Sequence, residues 1–532
     1  MADTLSADSG KRKLIKKSSG VAVATFVSRI LGLVRVRLES AVLGGGESAS
    51  AWFLAFAIPN LLRRVFGEGA FATALMPLVA EYEKTEGRDK VRRQLALVFS
   101  VLSLILIGIV GVTTLGCLLV NSFSDSWDIE FFAHRRIKLM FQLLPLLMPY
   151  GFFICMAGVV GSVLNYAGFF VLPAMAALLL NIVLLGGLSA AWIWAMPEQQ
   201  FLPMLAILVP AAGLLQLFWL AVLLKISGYM PDFRNFLQEK AILKRLFFLA
   251  LPGAVSYGSL QISFLIDRGM AASIGSQAVP ALTYVDRIID IPIGIVAVSV
   301  SSVLMAMMTR IATEGKKDEI GESLNFGIRM VWFITLPVAA LVIFFHSGVL
   351  HLLCLGGKYT MDDLEAARQV AVFYGFGIPF FCSLKIIQPA FYARKRMKEV
   401  MTVSILAICL NVVLNYLLMH RLQQGGIALA TAISSLVNNL VLLAVLKRQE
   451  ISCRPPELIA SFLRSASAAL FSGWLCRLIY DRFMGEWAMS HWSCEFAALL
   501  VSGILFLVFF GVLVLLSRAP ELREIIGVFR RR

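Results

Sequence analysis

Five arginines lie in a stretch, residues 28–82, that is otherwise apolar enough to enter a bilayer. They are Arg29, Arg35, Arg37, Arg63 and Arg64. A charge at the bilayer centre costs ~2.5–3.5 kcal/mol or more, so such side chains normally face a bundle interior or a wet cavity. Guanidinium groups bind phosphate oxygens through paired hydrogen bonds and stay charged at physiological pH. The stretch therefore predicts an anion-binding cavity inside a membrane protein.

Two carboxylates in the same stretch are spaced to neutralise part of this charge. Arg35 and Glu39 are four residues apart, as are Arg64 and Glu68. Residues four apart on a helix are neighbours on its surface, so each pair is expected to interact. Arg63 has no such partner and is predicted to be the arginine with the least neutralised charge.

A second set of residues, distant from one another in the sequence, offers oxygen ligands. The set comprises Asp267, Asn411, Asn415 and Thr431. Carbonyl and carboxylate oxygens of this kind surround the cation sites of many transporters, so a Na⁺ site is one interpretation. The alternative is that Asp267 pairs with the adjacent Arg268 or a neighbouring helix, while the asparagines hold helices together by hydrogen bonds. The residues alone leave both open.

The composition restricts the class of protein. Of 532 residues, 59% are hydrophobic and 15% are charged. Such a chain is expected to be an all-α integral membrane protein, because its apolar runs are long and continuous rather than short and alternating. The net charge is +15, and the basic residues that produce it lie in loops between apolar spans. This pattern indicates a positive-inside orientation in a membrane rather than nucleic-acid binding.

Polar loops divide the chain into fourteen predicted transmembrane helices with both termini in the cytoplasm. The spans are 18–43, 49–80, 94–121, 138–164, 170–195, 203–226, 246–273, 278–311, 324–355, 366–393, 399–419, 426–446, 458–480 and 495–517. They are grouped as an N-lobe at 1–230, a C-lobe at 231–450 and two extra helices with a tail at 451–532.

An internal repeat with an offset of 230 residues supports the two lobes. Pro149 aligns with Pro379, and Asn181 aligns with Asn411. Six spans separate the copies, so both cross the membrane in the same sense. Parallel repeats of this kind are typical of alternating-access transporters with a cavity between two six-helix lobes.

Three motifs give the chain a family resemblance. They are SRILGLVR at 28–35, a run from 53 to 71 that contains IPNLLRRVFGEGAF, and YVDRIIDIP at 284–292. These closely resemble the MurJ (MviN) family of bacterial lipid II flippases. The resemblance implies a transporter, not an enzyme, that moves undecaprenyl-diphosphate-linked peptidoglycan precursor to the outer leaflet of the inner membrane. The implied partners are lipid II and membrane lipids, with other cell-wall synthesis proteins as further candidates.

The resemblance also implies roles for individual residues. The substrate diphosphate is bound jointly by Arg35, Arg63 and Arg287, while the cavity is supported or gated by Arg29, Arg64, Glu68 and Asp290. Some relatives bind sodium at positions matching Asp267, Asn411, Asn415 and Thr431, which makes Na⁺ the candidate coupling ion and leaves no other cofactor. The last two helices are implied to hold the polyprenyl tail; ordinary lipid-facing helices explain them equally well.

Four positions depart from the family pattern. Acidic residues of the family are replaced by Val36 on the first helix, by Ser50 on the second and by Asn415 in the candidate sodium site. Pro280 replaces a small polar residue before the eighth helix. Glu39 could compensate for the carboxylate missing at Val36.

Other functions remain as alternatives. A related exporter of another polyprenyl-diphosphate-linked glycan would present the same anion to the arginines. A cationic drug would be repelled by them. A membrane transferase would need clusters of acidic or histidine residues in the loops, and a non-transporting scaffold would have no use for buried arginines. No GxxxxGK[ST] motif occurs, which argues against ATP as the direct driver.

Overall fold

The computed structural model describes most of the chain. The described residues are 26–67, 70–123, 134–238, 240–294, 317–394, 396–451, 454–484 and 491–522, with 300–301, 304–305, 307–308, 311 and 524. Among them the secondary structure is helical apart from turns and one isolated bridge between Gly356 and Tyr359. Nine helices in these ranges are long and apolar enough to cross a membrane. The all-α membrane class is thus confirmed, and the total of fourteen helices stays a prediction.

The chain divides into two compact units, Met1–Leu265 and Ile266–Arg532. The helices of the first unit are α1 (26–43), α2 (Glu47–Leu62), α3 (Ala70–Glu86), α4 (Arg88–Phe123), α5 (Arg135–Tyr166), α6 (Val171–Ile193) and α7 (Glu198–Ser227). Helix α8, Lys240–Ile274, begins in the first unit and ends in the second. The lobe boundaries expected from the sequence stay predictions.

The second unit continues from α8. Its helices are α9 (Ala278–Pro292), α10 (Lys317–Cys354), α11 (Met361–Ala393), α12 (Met397–Arg448), α13 (Pro455–Ile479) and α14 (Trp492–Leu516). Helices α13 and α14 pack on α10 around a cluster of buried aromatic side chains that includes Phe333, Phe506 and Phe510. The two helices outside the repeat are therefore part of the apolar core of the second unit.

The span predicted at 49–80 is helical in its described residues but includes a π-helical turn, and residues 68–69 lie outside the described residues. Helix α2 contains Pro59 and passes into a π-helical turn at Arg63–Gly67 before α3 begins. Gly67 lies against Gly158 of α5. A Cβ added at Gly158 would come within 2.3 Å of the Gly67 carbonyl oxygen. Only glycine allows this close approach. The turn sets the direction in which Arg63 and its neighbour leave the helix.

Helix α12 comprises two helical segments joined at a sharp kink. Gln423 has φ 49° and ψ −132°, outside the helical region. After it, a Cβ at Gly426 would meet the Leu418 carbonyl oxygen at 2.5 Å, so the two segments turn tightly. This hairpin lies between the spans predicted at 399–419 and 426–446. It places Asn411 on one segment next to Thr431 on the other.

Candidate functional site

Arg35 on α1 is held inside the first unit. Its side chain is 5% exposed, and its Nε lies 3.3 Å from the Glu39 carboxylate, as the i,i+4 spacing predicts. Its Nη1 also donates to Asn181 Oδ1 on α6 at 2.9 Å. Asn181 was missed as a site residue, although the repeat that aligns it with Asn411 was a signal for it.

Arg63 lies in the π-helical turn and is half-buried. Its Nε donates to Asn60 Oδ1 on α2 at 2.8 Å. Asn60 is neutral, so the bond orients the guanidinium without cancelling its charge. Arg29 is likewise half-buried, on α1.

Arg64 has partners that its sequence neighbours do not supply. Its Nη1 donates to Gln261 Oε1 on α8 at 2.9 Å, and its guanidinium lies 5.7 Å from the centre of the Phe264 ring. Both contacts are favourable for an arginine removed from water. The predicted partner, Glu68, lies outside the described residues. The role of Arg64 in supporting or gating a cavity stays a prediction.

Arg287 and Asp290 lie three residues apart on α9 in the second unit. Arg287 is half-buried and Asp290 is exposed. The preceding residue, Asp286, forms an ion pair with Arg268 of α8. That pair was not expected from the sequence, where Arg268 was considered only as a partner for Asp267.

The four oxygen-bearing residues of the second set come together in the second unit. Asn415 Nδ2 donates to Asp267 Oδ1 at 2.6 Å and to Asn411 Oδ1 at 3.1 Å. Thr431 Oγ1 lies 3.3 Å from both Asp267 Oδ2 and Asn411 Nδ2. Asp267, Asn411 and Asn415 are 7%, 3% and 0% exposed. The group is called the Asp267 cluster below.

The donor set of the Asp267 cluster suits a small hard cation. It has one carboxylate, two amides and a hydroxyl, and Asn415 Oδ1 is buried with no hydrogen-bond partner. Among the described residues no group of three or more His, Cys, Asp or Glu side chains could hold a metal. One carboxylate with neutral oxygens therefore fits a singly charged ion such as Na⁺ better than a divalent metal.

Arg268 lies beside the cluster but is directed to α9. It is 4% exposed, and it donates to the Asp286 carboxylate and, through Nη1 at 3.1 Å, to the Val279 carbonyl oxygen. The ion pair found for Arg268 is with Asp286. Asp267 instead accepts hydrogen bonds from Asn415 and Thr431 of α12, which agrees with the alternative that it pairs with a neighbouring helix.

The last two helices each carry a cysteine at the end nearer the loop that joins them. Cys476 is buried on α13, Cys494 is partly exposed on α14, and both are free thiols in the structure.

Comparison with known proteins assigns the family. The model of the family described as "Lipid II flippase MurJ" matches residues 40–495. The chain is 33% identical to a probable lipid II flippase MurJ of Rhizobium tropici, over 82% of this chain and 81% of that protein. It is 26% identical to the lipid II flippase MurJ of Burkholderia cenocepacia, over 86% of this chain and 89% of that one.

The fold is similar to solved transporter structures. One is a lipid II flippase MurJ in an inward closed conformation, with a TM-score of 0.74, 24% identity and coverage of 93% of this chain and 98% of that chain. Another is an inward-facing multidrug resistance MATE family transporter of the MOP superfamily, with a TM-score of 0.60, 16% identity and coverage of 80% and 95%. From the match of the family model and the high coverage of its relatives, the chain belongs to the MurJ lipid II flippase family.

Proposed function

We propose that this chain moves lipid II from the cytoplasmic to the outer leaflet of the bacterial inner membrane by alternating access. The protein makes and breaks no covalent bond. Membership of the lipid II flippase family supports the substrate. The observation that carries the site is the burial of Arg35, whose charge is retained inside an apolar bundle and partly balanced by Glu39.

In this proposal the diphosphate of lipid II is bound by Arg35, Arg63 and Arg287. A guanidinium has five N–H donors in a planar fork, and the oxygens of a diphosphate accept them in pairs. Asn181 and Asn60 each occupy one donor and orient the side chain. Because the Arg35 side chain is 5% exposed in this conformation, its contact with the diphosphate belongs to another state of the transport cycle.

The driving force acts on the negative head group. An inside-negative potential favours outward movement by ~2.3 kcal/mol per charge per 100 mV, or ~4–5 kcal/mol for a diphosphate of about −2. In addition, the Asp267 cluster would bind a coupling Na⁺ through its carboxylate, amide and hydroxyl oxygens. Bound there, the ion would compensate the charge of a carboxylate that is 7% exposed.

The proposed setting is the inner membrane with both termini in the cytoplasm, as the distribution of Lys and Arg indicates. The polyprenyl tail of the substrate is assigned to α13 and α14, which present long side chains such as Leu463, Leu470 and Leu507 at their exposed faces. Other cell-wall synthesis proteins are candidate partners.

The test is complementation of a flippase-depleted bacterium, with lipid II exposed on the outer leaflet as the measurement. Wild type is expected to restore exposure, while Arg63→Ala and Arg287→Ala at equal expression fail. Arg464→Ala is the matched control, since among the described residues the Arg464 side chain hydrogen-bonds only within its own helix α13, to the Ala460 carbonyl oxygen. If well-expressed wild type restores nothing, an exporter of another polyprenyl-diphosphate-linked glycan becomes the better assignment. If both arginine variants transport normally, the diphosphate site is wrong.

A further inference from the structure

Two consecutive charged pairs face each other across α8 and α9. Asp267 and Arg268 are adjacent on α8, and Asp286 and Arg287 are adjacent on α9. We propose that the Arg268–Asp286 ion pair couples the Asp267 cluster to Arg287, so that a cation at the cluster and an anion at Arg287 change each other's affinity. The inference rests on the proposed function and adds two positioning residues that touch neither ligand.

The contacts of Arg268 fix α8 against the start and the middle of α9. Arg268 donates to the Val279 carbonyl oxygen near the first turn of α9 and to the carboxylate of Asp286 two turns further on. The side chain of Tyr374 on α11 lies near Asp286. Both Arg268 and Tyr374 are buried, while the Asp286 carboxylate is partly exposed. A shift of either helix would break these bonds.

Helix geometry links the junction to the two ligand sites. Neighbouring residues on a helix project about 100° apart. Asp267 can therefore meet Asn415 and Thr431 of α12 while Arg268 meets α9. For the same reason Arg287 leaves α9 in a different direction from Asp286, and any rotation of α9 that loosens Asp286 redirects Arg287.

Electrostatics supplies the signal between the sites. Arg268 is next to Asp267 in the chain and is paired with Asp286, so its charge attracts both carboxylates, which repel each other. When no cation is bound, the two carboxylates compete for one guanidinium. A cation at the Asp267 cluster neutralises one competitor, so Arg268 binds Asp286 more strongly and α9 is held in one orientation.

A purely structural role would not require charge at this junction. A neutral hydrogen-bonded pair could brace the same helices, and buried ion pairs are often no more stabilising than apolar side chains of similar volume. Charge is needed if the junction transmits the presence of a cation. By linkage the effect is reciprocal, since each ligand must change the affinity of the other by the same factor.

The test measures binding of undecaprenyl diphosphate to the purified full chain in nanodiscs. Its Kd is determined in sodium chloride and in choline chloride of equal ionic strength. For wild type the two values should differ by about fivefold or more, the lower end of common coupling factors. In Arg268→Gln/Asp286→Asn, which keeps shape and hydrogen-bonding capacity but removes both charges, the ratio should fall to about one.

Two further measurements separate coupling from misfolding. Sodium should raise the Tm of the double variant as much as that of wild type, because the Asp267 cluster is intact. A matched control is Glu47→Gln/Arg136→Gln, which removes another ion pair with a buried arginine, in the first unit, and should keep the wild-type ratio. If the double variant does not fold, Asp286→Glu should keep the ratio and Asp286→Asn should lose it.

The outcomes are distinguishable. The coupling is refuted if wild type binds the probe equally in both salts, or if a folded charge-free variant keeps the wild-type ratio. If wild type does not bind the probe in either salt, the proposed function fails and the coupling falls with it.

Discussion

The two halves of the repeat place opposite charges beside equivalent asparagines. In the first unit Asn181 accepts a hydrogen bond from Arg35, which comes from α1. In the second unit Asn411 belongs to the cluster around Asp267, which comes from α8. The offset of 230 aligns Arg35 with position 265, and Asp267 lies two residues beyond it. Arg35 and Asp267 thus lie close to each other in the two copies of the repeat, but not at equivalent positions.

This difference suggests a division of labour between the units. In the first unit the positive charge belongs to the protein itself, because the Arg35 guanidinium stays charged at any physiological pH. It is suited to a permanent interaction with an anionic substrate. The second unit contains a buried carboxylate that is satisfied by neutral groups, so a mobile cation can bind and leave. In the proposed function, two of the three diphosphate-binding arginines, Arg35 and Arg63, lie in the first unit, and the ion-coupling Asp267 cluster lies in the second.

The largest effect is expected at Arg35. Arg35→Ala removes the cation and leaves Glu39, which is 3% exposed, without its ion-pair partner. Breaking a buried pair in this way costs about 3–5 kcal/mol of unfolding free energy. Outer-leaflet lipid II should fall about 100-fold, equivalent to roughly 2.7 kcal/mol.

A second variant separates the role of Arg35 in folding from its role in transport. In Arg35→Ala/Glu39→Ala the uncompensated carboxylate is also removed, so the Tm should recover while transport does not. Wild-type transport by this double variant would remove Arg35 from the substrate site.

In the second unit, Asp267 should determine whether sodium raises the Tm. Replacing choline with sodium should raise the wild-type Tm, since a ligand at 100 times its Kd stabilises the folded state by about 2.7 kcal/mol. Asp267→Asn should abolish that increase, and Asn181→Ala should leave it unchanged. Persistence of the sodium effect in Asp267→Asn would place the ion elsewhere.

A substitution at Asn415 can add a second negative charge to the Asp267 cluster and so increase the charge difference between the units. Asn415→Asp adds a second carboxylate next to Asp267 and should raise Na⁺ affinity about tenfold, or roughly 1.4 kcal/mol. Thr431→Val removes a hydroxyl oxygen from the same cluster and should lower it. Isothermal titration with sodium measures both. Changes of the same sign in the two variants would argue against direct ligation.

Local spacing predicted part of the site correctly. The Arg35–Glu39 contact follows from one helical turn, which holds whatever surrounds the helix. The residues of the Asp267 cluster were grouped because all four offer oxygen ligands at positions that match a sodium site of some relatives, and the structure brings all four together. The class of fold followed from composition for a similar reason, since long apolar runs have few alternatives.

Contacts between distant segments could not be predicted in this way. Arg64 donates a hydrogen bond to Gln261, 197 residues away, and no local spacing indicates that contact. Arg268 pairs with Asp286 because of the angle between α8 and α9, which no spacing rule encodes. The π-helical turn after α2 was not predicted either, and the close approach of its Gly67 to α5 is again a contact between distant segments.

The smallest effect, and the most direct test of the comparison, is expected from the same substitution at two positions 230 residues apart. Asn181→Ala removes one hydrogen bond to a charged group, worth about 1.5–3 kcal/mol, while Glu39 still holds Arg35. Transport should fall by less than tenfold, to the same extent in sodium and in choline. Asn411→Ala removes an oxygen from the Asp267 cluster, so its defect should be largest when sodium is low and should shrink as sodium rises. If transport by both variants depended on sodium to the same extent, the two asparagines would have the same role. The opposite charges beside them would then not mark different functions of the two units.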